Sequence, residues 1–448
     1  MNIRNPNPLY LAFLMILANS IDVLALEFLS ISVTNPTMEL RAKQTIALGW
    51  TEIKNRMPLV DTNKVDVLDS SGVSILIQVI TGDAKAKEDS LIFQADFKAK
   101  ETKRFYIVAQ KSPIQINPKL TTYGRLYPER NSDFAWENDL IAFRMYGPGE
   151  SANMTVNSGV DAWLKRVPYP ILNKWYTPGY DYHTDIGEGH DPYHVGNSMG
   201  CGGLTLWENN AMVNSRVFDT SRVIANGPIR SVFELVYDNS WKVVGKSFVE
   251  TKRISIDLGQ MLFQFKSFFS KNGLPDSHTV AFGLTTHGGS AICSHDPNAT
   301  WSGCWDKIAD SELGSGVVVV SGSAQHKEFK TTNQDSAHDF FVSPTNKDGE
   351  VVYYTGYGWK KAGTITTAAQ WNQYLGHFAT LVKNPVRIDA MEACLGTPGK
   401  DAKCNTTAIG IKKGNLDEDR SVSIFDIRGR LLKIYSHGQP HIQRIMIP

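Results

Sequence analysis

The chain has 448 residues, 46 basic against 45 acidic side chains, and a formal net charge of +1. That balance excludes nucleic acid as a bulk electrostatic partner, and the length suits two or three ordinary domains or one large β domain with a smaller companion. Aromatic residues make up 10% and include ten tryptophans, enough to supply stacking platforms for the apolar faces of sugar rings as well as a core.

Residues 1–25 have the make-up of a secretory signal peptide. Arg4 supplies a positive start, Leu9 to Ala18 is a short apolar run, and Val23-Leu24-Ala25 offers small residues at the cleavage spacing. No later stretch reaches the ~18 apolar residues of a membrane-crossing helix, so no transmembrane segment is expected. The protein is therefore expected in the periplasm, secreted, or at the cell surface. In such an oxidising compartment Cys293 with Cys304, and Cys394 with Cys404, can each close a short loop. Cys201 is left over and reads as a small buried residue.

Residues 26–110 read as a small N-terminal β-sandwich module. Its strands follow Val33, then Val65–Leu68, Ser74–Ile80, Ser90–Phe97 and Glu101–Val108, separated by Asp, Ser, Gly and Lys turns. Ser112 to Thr122 is proline-bearing and aperiodic, a linker. The larger β domain is assigned to 111–400. Near its start Asp133, Trp136, Glu137, Asn138 and Arg144 form a mixed acid, amide and cation set, with an Arg144 ion pair to Glu137 or Asp139 as the plain structural alternative. Short helical turns are expected around Asp161–Arg166 and Ile171–Tyr176.

Tyr180 to Gly203 is the stretch densest in chemistry. His183, His190 and His194 stand with Asp181, Asp185, Glu188, Asp191, Tyr180, Tyr182 and Tyr193, and the glycines exclude a long regular element. Long ordered loops of this kind are usually functional. No cofactor is required by this pattern. The alternative is a divalent metal held by His183, Asp185, His190 and His194, although neither HExxH nor a paired-cysteine zinc spacing is present. Long strands with turn signals every eight to twelve residues follow, the mark of a large sandwich or barrel. Thr367–Val382 is the one clear helix. The tail, 405–448, contains two alternating strands around an Arg-Gly turn and resembles part of the sorting domain used for type IX secretion.

From Val33 to about Glu392 the sequence resembles the bacterial DUF4861 family. The resemblance is carried by Arg125–Pro148 (RLYPERNSDFAWENDLIAFRMYGP), by Tyr182–Gly203 (YHTDIGEGHDPYHVGNSMGCGG) and by Arg222–Tyr237 (RVIANGPIRSVFELVY). It implies an all-β, galactose-mutarotase-like β-supersandwich with few short helices. It also implies work on uronate-containing oligosaccharides: elimination of water across C4–C5 of a uronic acid to give an unsaturated uronate.

Such an elimination needs a base for the C5 proton, an acid for the departing hydroxyl and a cation for the carboxylate. Candidate catalytic residues are His183 as base, Tyr182, His190 and His194 as acid or orienter, and Arg144 as cation, with Asp185 near enough to fix the His183 tautomer. Candidate substrate-binding residues are Trp136, Glu137, Asn138, Lys174, Trp175, Asp185, Glu188, Tyr193, Asn197 and Arg222. A glycoside hydrolase or epimerase on the same scaffold is the alternative, and the hydrolase could use Glu137 and Glu188 as paired carboxylates. A non-catalytic carbohydrate-binding protein could use Trp136, Trp163 and Trp175 as platforms. The Arg125–Pro148 and Tyr180–Gly203 segments are expected to converge on one concave face of the large domain.

Overall fold

The computed structural model describes residues 27–81, 90–112, 118–149, 158–320, 323–399, 403–404, 421–425 and 431–436. The expected signal peptide lies outside the described residues. So does most of the tail, of which Ser421–Phe425 and Leu431–Ser436 form an antiparallel pair.

The first sandwich has a five-stranded sheet in the order Lys403–Cys404, Arg387–Leu395, Glu27–Thr34, Thr102–Ala109, Val65–Leu68. A three-stranded sheet of Arg41–Gly49, Ser90–Phe97 and Ile77–Ile80 packs with it. Strand alternation builds the core: Leu29, Ile31 and Val33 face inward, while Phe28 faces Tyr106, Val108 and Cys394 on the other side. Residues 387–395 thus belong to the first sandwich by pairing with Glu27–Thr34, where the sequence assigned everything to 400 to the larger domain. A strand pairing between residues some 360 apart leaves no local signal to read. Cys394 and Cys404 are bonded across that sheet, Cys293 and Cys304 across another, and Cys201 is free and buried.

The larger unit is also a sandwich, so the all-β expectation holds. One layer is a nine-stranded sheet containing, among others, Arg230–Tyr237, Val249–Asp257, Leu262–Lys271, Glu350–Trp359 and Ser311–Val319. The facing layer consists of two five-stranded sheets. One runs Gly189–His190, Asp161–Lys165, Ala142–Met145, Asp133–Glu137, Tyr123–Tyr127; the other runs Ala211–Val213, Cys201–Glu208, Thr279–Thr285, His338–Pro344, Gln325–Phe329. Asp161–Lys165 is therefore a strand where a helical turn was expected, held by its pairing with Ala142–Met145. A parallel bridge between Val160 and Gly200 joins the two sheets. Glycine is needed there: Gly200 has φ +59°, and a Cβ would fall 2.1 Å from the Val160 oxygen. Phe134, Trp136, Phe143, Phe233 and Phe263 interlock between the layers.

The helix Ala368–Lys383 begins where expected, with the Thr367 side chain accepting the Gln370 N–H. It packs Trp371 and Leu375 onto the nine-stranded sheet over Gly303, Gly314 and Gly316, where a Cβ would collide with those side chains. Trp371 also donates its indole N–H to the Ser315 carbonyl at 2.8 Å.

The junction beside Gly200 carries a pH dependence. The buried His338 ring accepts the Met199 N–H through Nε2 at 3.2 Å, and burial pushes its pKa down to about 4. A histidine that folding keeps neutral contributes stability above its unfolded pKa of about 6.5, and that stability is lost as pH falls toward the folded value. Buried His190 shifts in the same direction. Between pH 7 and 4 urea unfolding should therefore show a loss of roughly 3 kcal/mol from His338 alone. His338→Gln, which keeps an acceptor without titrating, should flatten that part of the profile; an unaltered profile would trace the acid loss elsewhere.

Candidate functional site

Along Asp133–Glu137, Ala142–Met145 and Asp161–Lys165 the strand period sends Phe134, Trp136, Phe143, Met145, Ala162 and Leu164 into the sandwich. The opposite face therefore receives Asp133, Glu137, Arg144, Asp161, Trp163 and Lys165. This outward face is nonetheless buried, because residues 166–192 fold back over it.

Two charged clasps hold that cover down. Arg144 donates to Asp161 through Nε (2.9 Å) and Nη2 (2.5 Å), and to Asp191 at 3.1 Å, with Asp133 at 3.9 Å. Asp161 lies on the neighbouring strand directly opposite Arg144, whereas Asp191 comes from the covering loop. Burial pushes the Asp191 carboxyl up, the Asp161 charge adds to that, and Arg144 opposes both. The second clasp is fully buried: Lys165 donates to Glu137 at 2.6 Å, and Glu137 also accepts the Ile171 and Leu172 N–H groups at 3.0 Å. It thereby satisfies the orphan donors at the start of the short helix Leu172–Trp175.

Between the clasps runs a column of rings. Tyr127 stacks on Tyr176 (3.8 Å between centroids), Tyr176 on Trp163 (4.9 Å), and Trp163 on Tyr182 (4.8 Å). Two groups rest against its end. The His183 ring lies 4.4 Å from the Tyr182 ring, and the exposed Arg130 guanidinium sits 4.8 Å over it. His183 Nδ1 meets the Asp191 carbonyl oxygen at 3.0 Å. A carbonyl only accepts, so Nδ1 carries the proton and Nε2 keeps its lone pair.

Local sequence explains the placement of both groups. Asp181 accepts the His183 N–H (2.9 Å) and the Thr184 hydroxyl (2.6 Å), an Asx turn that presents the imidazole. Arg130 lies in the turn between Tyr123–Tyr127 and Asp133–Glu137, where Asn131 and Ser132 both have positive φ. Gly147 lets the chain press on that turn, since a Cβ there would fall 1.8 Å from the Ser132 oxygen.

Arg144 and His183, from the two segments expected to converge, thus meet through Asp191. Several other expectations are corrected. Arg144 pairs with Asp161 and Asp191; Glu137 goes to Lys165 and Asp139 to Lys43. The His183 tautomer is set by the Asp191 carbonyl, while Asp185 binds Arg166 and accepts the Gly187 and Gly189 N–H groups. The Tyr182 hydroxyl is buried, so that residue offers a ring rather than an acid. His190 follows the strand alternation to the other face and lies against Trp359. His194 leaves with the chain toward Asp335 (2.8 Å), and Tyr193 packs edge-on to His287. Of the alternative metal set, Asp185 and His190 remain neighbours beside Lys361, whereas His183 turns to the Asp191 carbonyl and His194 to Asp335.

The binding candidates also disperse. Trp136, Trp163 and Trp175 are buried and present no platform. Asn138 ties a turn to the Asp257 and Gln260 carbonyls. Glu188 gathers Tyr169, Lys174, Trp175 and Tyr180. Asn197 receives an Asn214 amide on its carbonyl, and Arg222 pairs with Glu234 on the outer face of the nine-stranded sheet. Arg130 and the pairing of Arg144 with Asp161 and Asp191 went unread. Arg130 makes no ion pair with any described residue, and a lone arginine in a polar turn carries no periodic signal.

A family model described as a domain of unknown function, DUF4861, matches residues 33–388, and the chain belongs to that family. A Formosa agariphila protein called uncharacterized protein P7 is 31% identical over 324 residues, spanning 69% of this chain and 80% of its own. Among solved structures, an alpha-mannosidase from Enterococcus faecalis V583 aligns with TM-score 0.44 and 9% identity over 89% of this chain. A glycosyl hydrolase family 38 protein from Enterococcus faecalis aligns with TM-score 0.43 and 10% identity over 94%. The chain spans about half the length of these two, 50% and 55%.

The two arginines should separate on mutation. Arg144→Gln leaves buried aspartates uncompensated and should cost about 3–5 kcal/mol in urea unfolding. Arg130→Gln, on an exposed turn, should change stability by less than about 0.5 kcal/mol. Equal losses in the two variants would refute the division between a buried clasp and a cation on an exposed turn.

Proposed function

We propose that this DUF4861 protein is a carbohydrate-active carbon–oxygen lyase that removes water across C4–C5 of a uronic acid residue in oligosaccharides. The observation that carries the reading is the pair at the end of the ring column: a guanidinium without an ion-pair partner among the described residues and an imidazole with a free lone pair, both against Tyr182. Arg130 faces the uronate carboxylate and neutralises it, which acidifies the C5 proton. His183 Nε2 takes that proton, the C4–O bond breaks as the C4–C5 double bond forms, and the imidazolium returns the proton to the departing oxygen as water leaves. The exposed flank of the site suits a chain end or an extended oligosaccharide.

The residues named for a hydrolase and for a binding module are engaged elsewhere. A hydrolase with Glu137 and Glu188 as its pair would need carboxylates that Lys165, Lys174 and backbone donors already occupy. A binding module built on Trp136, Trp163 and Trp175 would need exposed indoles. Action in the periplasm or outside the cell belongs to the same proposal, supported by two disulfides. No described helix is long and apolar enough to cross a membrane.

The product is a conjugated enol ether, so a panel of uronate oligosaccharides should develop ultraviolet absorbance with the protein. His183→Ala should lower kcat by roughly 10²–10⁴-fold while substrate still binds. Arg130→Gln should both raise KM and lower kcat, since its charge acts on substrate and developing enolate alike. Oligosaccharide cleavage without absorbance would replace the lyase by a hydrolase; full turnover by His183→Ala would remove the base assigned here.

A further inference from the structure

A second cluster stands at the opposite rim of the larger sandwich, where its layers end side by side. Ile292–His295 is the last strand of the nine-stranded sheet, and Gln325–Phe329 is the last strand of the facing five-stranded sheet. His295 ends the first; His326 and Glu328, two residues apart and so on one face, lie on the second. The two imidazoles stack at 3.9 Å with 17° between planes, and one ligand atom from each of the three residues lies within 4.8 Å of the others.

His326 is set as a ligand. Its Nε2 meets Asp339 Oδ2 at 2.9 Å, and the Asp339 carboxylate is buried and also accepts the Ser302 hydroxyl. Nε2 therefore donates, and Nδ1 holds the lone pair. A carboxylate behind a histidine is the usual second support of a metal-binding imidazole. His295 is exposed at the end of its strand, and that strand is anchored by the Cys293–Cys304 bond. Glu328 meets Lys330 Nζ at 2.6 Å, and Lys330 is 85% exposed, so an ion can displace it without opening the fold.

We propose that His295, His326 and Glu328 bind a zinc-class divalent cation that staples the two sheet edges together, with Asp339 as the positioning residue. Two nitrogens and one carboxylate oxygen leave a fourth, water-filled position on a tetrahedral ion. Ligands of such an ion sit about 3.4 Å apart, a closure that the side-chain torsions of exposed His295 and Glu328 can supply. This site is independent of the His183 site and of the proposed elimination.

The test uses tag-free full-length protein stripped with a chelator, titrated with zinc alone by calorimetry and with cobalt(II) by visible absorbance. One ion per chain is expected, together with a rise in Tm. His295→Ala and Glu328→Gln, both at exposed positions, should each weaken zinc binding at least about 10-fold, and the double variant at least about 100-fold. Asp339→Asn should weaken it about 10–100-fold and alter the cobalt spectrum, which a purely structural role would leave unchanged. Absence of binding at millimolar zinc would overturn the proposal, as would undiminished binding by the double variant.

Discussion

The Arg144 guanidinium lies between an aspartate of its own sheet and an aspartate of the loop above it, and the order of the site follows from that contact. Asp161 is fixed by strand register, so it serves as the rigid half. Asp191 belongs to the cover, so the same cation that neutralises Asp161 also pins the loop. Taking these charges out of water is costly, and the cost is offset only because the arginine donates to both acids in good geometry. The Asp191 carbonyl then receives the His183 ring, and the Tyr182 carbonyl accepts the Asp191 N–H at 2.8 Å. The imidazole is thus positioned by the chain of the very residue that closes the salt bridge.

Much of this was legible in sequence, though not as a pair list. The alternation Asp133, Ala135, Glu137 against Phe134, Trp136 marks one polar and one apolar face. That pattern alone sends Trp136 into the core, and the hope of a sugar platform there ran against it. The same rule separates His190 from Asp191, which are adjacent in the chain and on opposite faces of the sheet. Density of histidines in Tyr180–Gly203 suggested one shared cluster, but the three imidazoles part company, because Val195, Met199 and Cys201 draw the chain into the sandwich and take His194 with them. Partner choice was the illegible part. Arg144 meets Asp161 seventeen residues on and Asp191 forty-seven on, and neither spacing has a local signature.

Glycine marks where two pieces of backbone or a ring and a backbone must touch. At Gly200 it lets the two five-stranded sheets fuse, and at Gly314 it admits the Trp371 indole. The Gly200-Cys201-Gly202-Gly203 run is explained this way, and Cys201 is the small buried residue that the sequence suggested. Burial pushes the Cys201 thiol up to about 12, and its Sγ lies against the Gly356 carbonyl, so it is inert packing.

The return of Arg387–Leu395 to the sheet that Glu27–Thr34 begins has a consequence for the order of events during synthesis. Glu27–Thr34 is an inner strand with a partner on each side, and one of those partners is made more than 350 residues later. Until it arrives, the nascent first sandwich carries an open edge of unpaired N–H and C=O groups, the kind of surface that recruits stray strands from other chains. Closing it also demands one of the longest loops the chain can form, a step that high contact order makes slow. A shortened chain ending before residue 387 would therefore lack more than its terminus: it would leave the oldest part of the protein unfinished and prone to aggregate.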